Sequence, residues 1–272
     1  MSSSPASLNI GVFDSGFGGL TVLRALLGRL PSANYLYLGD TARLPYGAKS
    51  QATVARYAVS SARFLVEQGA EYLVIACNTA SALALDEIRA AVPIPALGVI
   101  ETGANAAQAS TQSGDVLVIA TAATVESHAY AAACRDRGLR AFEKACPLLV
   151  PLVEEGWIDH PVTQQVIDAY LGELLQDSRR AGLNPDTLVL GCTHYPLLRA
   201  NIERRLPPSI RVIDSAESTA AQVAAALGTT TSASPQGQRH FYATDSVQKF
   251  RNLGTRFLGQ PIDSVQLLDL GG

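Results

Sequence analysis

Short apolar runs recur along the chain, each closed by a polar or glycine-rich segment and followed by a stretch of helical periodicity. Leu8 to Phe13 is the first run. It leads into Asp14-Ser15-Gly16-Phe17-Gly18-Gly19 and a helical stretch, Leu20 to Leu30, stopped by Pro31. Tyr35 to Leu38 is the second, ending in Gly39-Asp40-Thr41-Ala42-Arg43-Leu44-Pro45-Tyr46-Gly47. Over residues 51–68, Val54, Tyr57, Ala58 and Leu65 share one helical face, and Gly69 is placed to cap the C-terminus. A strand then runs from Glu71 to Cys77, with a helix to about Ala91, and Pro93 to Ile100 reads as a link between two halves.

A second series opens with a strand over Asp115 to Ala120, closed by Thr121-Ala122-Ala123-Thr124 and a helix to about Arg137. Leu148 to Gly156 reads as a loop, and Pro161 suits the first position of a long helix to Ala181. A strand to Cys192 and a helix from Tyr195 to Leu206 follow. The tail predicts a strand over Arg211 to Ile213, a helix over 215–227, a low-complexity loop over 229–238, a strand at 240–243, a helix at 246–257 and a last strand near Val265 to Leu268.

Strands alternating with helices predict an α/β fold of mostly parallel sheets flanked by helices. The two series also match in order. Glu71-Tyr-Leu-Val-Ile-Ala-Cys77-Asn78-Thr79 and Asp186-Thr-Leu-Val-Leu-Gly-Cys192-Thr193-His194 share one plan: acid, apolar strand, small residue, cysteine, two polar residues. With Asp14 and Thr121 closing the first strand of each series, the pattern predicts an internal repeat of about half the chain. A strand ending in cysteine places a thiol at the carboxyl edge of a sheet, where open α/β sheets bind ligands. Two such edges would put two thiols on opposite sides of one pocket.

Composition narrows the function classes. At 272 residues, with 47% hydrophobic and 17% charged positions, the chain can bury a full core. A net charge of -3 supplies no basic field for nucleic acid. The Ser-rich start has no secretory pattern, and the apolar stretch Tyr72 to Leu85 is too short for a bilayer, so a soluble cytoplasmic protein is expected. The four cysteines contain no Cys-x-x-Cys and the four histidines are scattered, against a disulfide framework or a zinc site. The only lysines are Lys49, Lys144 and Lys249; none stands in a polar loop suited to a pyridoxal-phosphate Schiff base, with Lys144 the one left open.

Gly16, Gly18 and Gly19 after a strand suggest a dinucleotide turn with Asp40 as ribose acid, but the third glycine would fall on Thr21. An anion-binding turn, or a tight turn with Asp14 as a helix cap, fits better. Cys134 and Cys146 have no polar companions and read as inert core thiols. Cys77 and Cys192 are followed at once by amide, hydroxyl and imidazole groups, and a helix N-terminus at each would lower the thiol pKa. Glu154 and Glu155 form an acid pair in the loop after Pro151, and Arg43 with Asp40 reads as a local ion pair holding the Pro45-Tyr46-Gly47 turn.

Taken together, Asp14-Ser15-Gly16-x-Gly18-Gly19, Gly39-Asp40-x-x-Arg43-x-Pro45-Tyr46-Gly47, Ala76-Cys77-Asn78-Thr79-Ala80 and Gly191-Cys192-Thr193-His194-Tyr195-Pro196 resemble the glutamate racemases of the aspartate/glutamate racemase superfamily, in order and over nearly the whole chain. The resemblance implies a cofactor-independent amino-acid racemase, with glutamate as small-molecule substrate and D-glutamate supplied to peptidoglycan. It implies two pseudo-symmetric α/β domains, 1–98 plus 214–272 and 99–213, with the active site between them. Cys77 and Cys192 would be the acid/base pair, assisted by Asp14, His194 and Glu154. Ser15, Pro45, Tyr46, Gly47, Asn78, Thr79, Thr121 and Thr193, with Asp14 and His194, would bind substrate. The choice of Glu154 over Glu155 is open, as is a homodimer.

Racemisation removes the α-proton from one face and returns one to the other, which two opposed groups do without turning the substrate. One would enter as thiolate and the other as thiol, each at a near-attack contact of roughly 3–3.5 Å. By the resemblance, Cys192 faces the α-proton of L-glutamate and Cys77 that of D-glutamate. Racemisation of aspartate, a cysteine hydrolase or decarboxylase built on Cys192 and His194, and a non-catalytic carboxylate-binding module are the rival readings.

Overall fold

Both faces of a parallel sheet are covered, so its strands carry apolar residues at successive positions. The first strand, β1 (Asn9–Asp14), is buried from Ile10 onward. Ile10 and Val12 enter one core, while Phe13 enters another on the opposite face. The computed structural model describes residues 8–228 and 236–271. The Ser-rich start and most of the loop expected over 229–238 lie outside the described residues.

In chain order the elements are β1, α1 (Leu20–Arg29), β2 (Asn34–Gly39), α2 (Gln51–Glu67), β3 (Tyr72–Ile75), α3 (Asn78–Ala91), β4 (Ala96–Gly98) and α4 (Val99–Ser110). Then come β5 (Asp115–Ala120), α5 (Ala122–Glu126), α6 (Ala129–Arg135), β6 (Arg140–Ala145), α7 (Leu149–Glu154), α8 (Pro161–Arg180), β7 (Thr187–Gly191) and α9 (Arg199–Glu203). The chain closes with β8 (Arg211–Asp214), α10 (Ser215–Leu227), β9 (Arg239–Ala243), α11 (Val247–Leu258) and β10 (Gln266–Leu267).

All strand pairs are parallel, in two sheets of order β10-β9-β2-β1-β3-β4 and β6-β5-β7-β8. The run β2-β1-β3-β4 has the same layout as β6-β5-β7-β8, so the doubling read from the sequence is a doubling of the sheet. In each sheet the central strand (β1 or β5) sits beside the strand that ends in cysteine (β3 or β7). Parallel pairing points the strands' carboxyl ends the same way within each sheet. One core is shared by the inner faces of both sheets, running from Ile10 and Val74 through Leu117 and Ile119 to Leu188 and Leu190. The outer faces are closed separately, by α2 and α3 over the first sheet and α4 and α6 over the second.

Four expectations change. Pro93 to Ile100 is not only a link: Ala96–Gly98 adds strand β4, and α4 starts at Val99. Helix α4 buries Val99, Ile100, Thr102, Gly103, Ala104 and Ala107, and no helix is legible there in the sequence because the preceding prolines read as a link. Strand β6 is an edge strand of half-buried residues; Arg140 grips the nearly buried carboxylate of Asp115 with two 2.7 Å hydrogen bonds across the pair. Leu148 to Gly156 is mostly helix, as α7. The helix expected to run to Arg137 breaks at His128, whose φ of 53° is left-handed, and that expected over 195–206 is a 3₁₀ turn, Tyr195–Leu198, followed by α9.

Candidate active site

The first wall of the site grows from the ends of β1, β2 and β3. Asp14 closes β1 fully buried, with Oδ2 accepting the Gly16 N–H at 2.9 Å and Oδ1 without a partner in the protein. Burial raises its pKa, against the lowering effect of His194's charge and of hydrogen bonds from Gly16, Gly19 and Thr193. Helix α1 has Gly19 as its N-cap with no side-chain cap, so Asp14 organises the turn and does not cap the helix. After β2, Asp40 accepts both from Arg43 Nε, at 2.8 and 2.9 Å, and from the hydroxyls of Thr244 and Tyr46. The expected Asp40–Arg43 pair thus does hold the Pro45-Tyr46-Gly47 turn. A Cβ on Gly47 would lie 2.7 Å from Thr121 Cβ, so glycine is what lets this turn reach the second sheet.

Cys77 is the N-cap of α3, its Sγ accepting the Ala80 N–H at 3.4 Å and lying 3.4 Å from Ser15 Oγ. The helix N-terminus does not lower this thiol's pKa, as the sequence suggested it would. Burial first, and then the neighbouring Asp14 carboxylate, push it up to about 12, outweighing the hydrogen bonds from Ser15 and Ala80. At neutral pH Cys77 rests as a thiol.

The second wall comes from β5, β7 and α7. Thr121 follows β5 and joins Thr79 and Thr124 in a triangle of hydroxyls 2.9 to 3.2 Å apart, which ties the start of α3 to the start of α5. Cys192 follows β7, and a 3₁₀ turn rather than an α-helix comes next. Its Sγ lies 3.9 Å from His194 Nδ1, whose Nε2 lies 3.3 Å from Glu154 Oε1; Glu154 Oε2 accepts from Lys249 Nζ at 3.3 Å. Of the two acids left open, Glu154 reaches the histidine, whereas Glu155 is exposed. Burial alone would depress the His194 pKa, but its hydrogen bonds to Cys192 and Glu154, with their negative charge, lift it to about 10. Glu154 is lowered: burial would raise it, and His194 and Lys249 reverse that.

The sign for pH follows from His194. Its folded pKa exceeds the ordinary 6.5, so the charged relay stabilises the fold fully below about pH 6.5 and is lost as pH rises through about 10. Glu154→Gln removes one of the two supports. We expect the His194 titration midpoint, followed by NMR of its ring protons, to fall in this variant; an unchanged midpoint would contradict the relay.

Ser15, Pro45, Tyr46, Gly47, Cys77, Asn78, Thr79, Thr121, Glu154, Cys192, Thr193 and His194 line one cavity of about 210 Å³. Asp14 alone among the residues singled out from the sequence lies behind the lining rather than on it. Both cysteines are free thiols, about 5% and 6% exposed. A larger, more open depression of about 580 Å³ on the outside of α2 is lined by Arg56, Arg63, Glu67 and Glu87 and has no thiol or imidazole. Both strand-end thiols and His194 line the small cavity.

Gly18 sets the distance between the walls. A Cβ there would collide with Thr193 Oγ1 and come within 2.8 Å of His194 Nδ1. Gly18→Ala is expected to keep the fold but displace the Cys192 edge, lowering the site's activity by about 10²-fold, the cost of roughly 1 Å of misplacement. Steady-state rates beside a thermal melt check this; normal rates would mean the edge yields freely.

Residues 20–223 match the family model described as Asp/Glu/hydantoin racemase. A glutamate racemase of Koribacter versatilis is 53% identical over 97% of this chain and 98% of its own length. The chain belongs to this racemase family. Among solved structures, the glutamate racemase isoform RacE1 of Bacillus anthracis superposes with a TM-score of 0.89 at 36% identity, covering 98% of this chain and 99% of its own. The Francisella tularensis glutamate racemase, solved in complex with D-glutamate, gives a TM-score of 0.86 at 35% identity over 97% of this chain and 98% of its own.

Three residues of this racemase escaped the sequence reading. Lys249 was noted only as one of three lysines; it reaches the site because the tail of the chain returns to the first sheet through β9. Thr124 completes the hydroxyl triangle. Tyr130 on α6 donates a 2.7 Å hydrogen bond to Asn78 Oδ1 from a fully buried position, and nothing in its sequence surroundings marks it. Among the described residues, no helix is long and apolar enough to cross a membrane.

Proposed function

We propose that this racemase interconverts L- and D-glutamate by two-base proton transfer, with Cys77 and Cys192 as the acid/base pair and no cofactor. The observation that carries this reading is the meeting of two thiols from equivalent edges of two sheets in one small cavity. Their surroundings are unequal in a useful way. Cys77 rests as thiol, held up by burial and Asp14. Cys192 lies beside an imidazole that stays protonated to about pH 10, a positive charge suited to a thiolate. The α-proton of L-glutamate would be taken on the Cys192 side and one returned from Cys77.

Carbanion character develops next to the substrate carboxylate, and donors fixed in advance stabilise it. Asn78 Nδ2 is buried without a partner, and the Thr79 and Thr121 hydroxyls stand beside it on the lining. Asp14, behind the lining with Oδ1 unpartnered, would favour the substrate ammonium through its charge; its raised pKa then falls as the opposite charge arrives. We further propose two domains, 1–98 with 214–272 and 99–213, and a role in supplying D-glutamate for peptidoglycan.

Circular dichroism of pure L-glutamate with added protein tests the reaction, with L-aspartate in parallel. Decay of the glutamate signal to zero while the aspartate signal holds is the expected result. A stable glutamate signal with measurable glutamate binding would favour a binding module instead.

A further inference from the structure

Asn78 has two chemically opposite ends, and the reading above needs the right one in the cavity. A carboxylate accepts from the Nδ2 amide N–H of the side chain and is repelled by Oδ1. Oδ1 accepts from the Tyr130 hydroxyl at 2.7 Å, and Nδ2 is buried with no protein partner. We propose that Tyr130 is a positioning residue for racemisation: its hydroxyl fixes the Asn78 side chain with Nδ2, not Oδ1, facing the substrate carboxylate. This inference rests on the glutamate reading of the site.

Three features of Tyr130 support it. Its ring is held in a fitted slot, since a Cβ on Gly103 of α4 would lie 3.0 Å from both Cε1 and the hydroxyl, and one on Gly191 would lie 2.9 Å from Cε2. Its hydroxyl is a committed donor. Burial drives the phenol pKa far above its ordinary value, so the proton stays on and is available to Asn78 Oδ1. The phenol hydrogen needs an acceptor, and Oδ1 is the one it meets. Were the Asn78 amide turned over, the hydrogen bond from Tyr130 to Oδ1 would be lost and Oδ1 would face the carboxylate.

Its placement also joins the two walls. Tyr130 bonds the residue that follows Cys77 and packs on Gly191, the residue that precedes Cys192. One buried ring therefore sets the amide on one side from a support on the other.

The test is a double-mutant cycle with Tyr130→Phe and Asn78→Ala, reading kcat and KM for L-glutamate. Hydrogen bonds to charged groups contribute on the order of 1.5–3 kcal/mol, so misorienting Nδ2 should raise KM about tenfold or more. Because Tyr130 acts through Asn78, Tyr130→Phe should have little further effect once Asn78 is alanine. An equal KM increase in both backgrounds, or none in either, overturns the proposal, the first outcome marking Tyr130 as a plain packing residue. Should Tyr130→Phe fail to fold, a structure of the unaltered protein with D-glutamate decides. A carboxylate oxygen within about 3.2 Å of Asn78 Nδ2 is expected; a carboxylate bound elsewhere overturns the inference. Failure of the glutamate reading is seen separately, as absence of racemisation by the unaltered protein.

Discussion

Cys192→Ala is expected to lower racemisation by about 10²–10⁴-fold, the contribution of a positioned acid/base group. Cys77→Ala should do the same. The loss must be equal in the two directions. L- and D-glutamate have the same free energy in water, so the equilibrium constant is one and kcat/KM for the two enantiomers cannot differ. Direction therefore has to be read from isotope exchange. With Cys192 removed, Cys77 can still lift and replace the proton on its own face, so D-glutamate in D₂O should take up deuterium without inverting. That exchange should be slow near neutrality and rise with pH towards about 12, where the Cys77 thiolate forms. With Cys77 removed, the exchange should appear in L-glutamate instead. NMR of the α-position, with circular dichroism for configuration, reads both. Near-normal racemisation by either variant, or equal exchange into both enantiomers by one, would sink the two-base mechanism.

The sheet repeat and most of the site were legible because both are written in local sequence. A buried parallel strand must be apolar throughout, and its carboxyl end must change abruptly to polar residues where it meets a ligand. Asp14, Cys77, Thr121 and Cys192 are those abrupt changes. What stayed hidden depends on tertiary neighbours. Helix α4 follows directly on the short strand β4, after prolines that read as a link. Lys249 and Tyr130 reach the site from elements far away in the chain, through single contacts at 3.3 and 2.7 Å. The Cys77 pKa went the other way for the same reason. The helix N-terminus that would lower it is local, but the burial and the Asp14 charge that raise it arise only when the two strands are placed side by side.

Asp40→Ala is expected to destabilise the fold by about 3–5 kcal/mol, since it strips the partner from a buried cation. Asp40 is fully buried and the Arg43 side chain only 9% exposed. Arg43 cannot discharge by losing its proton, and its Nη2 is already buried without a partner. The same carboxylate also receives the Thr244 hydroxyl at 2.9 Å and the hydroxyl of Tyr46, so its removal frees the turn that forms one wall of the cavity. In a chain of this size the loss amounts to a drop in Tm on the order of 10 °C, accompanied by a higher KM for glutamate. Asp86→Ala is the matched control. Asp86 pairs with Arg89 at 3.8 Å in the open, 95% exposed, and such pairs contribute roughly 0–1 kcal/mol. Removing Arg43 as well should return part of the loss, because no stranded charge then remains, so the double variant Asp40→Ala with Arg43→Met should melt above Asp40→Ala alone. If Asp40→Ala and Asp86→Ala lower Tm equally little, or if removing Arg43 makes the first variant worse, the stranded-charge account of this turn is wrong.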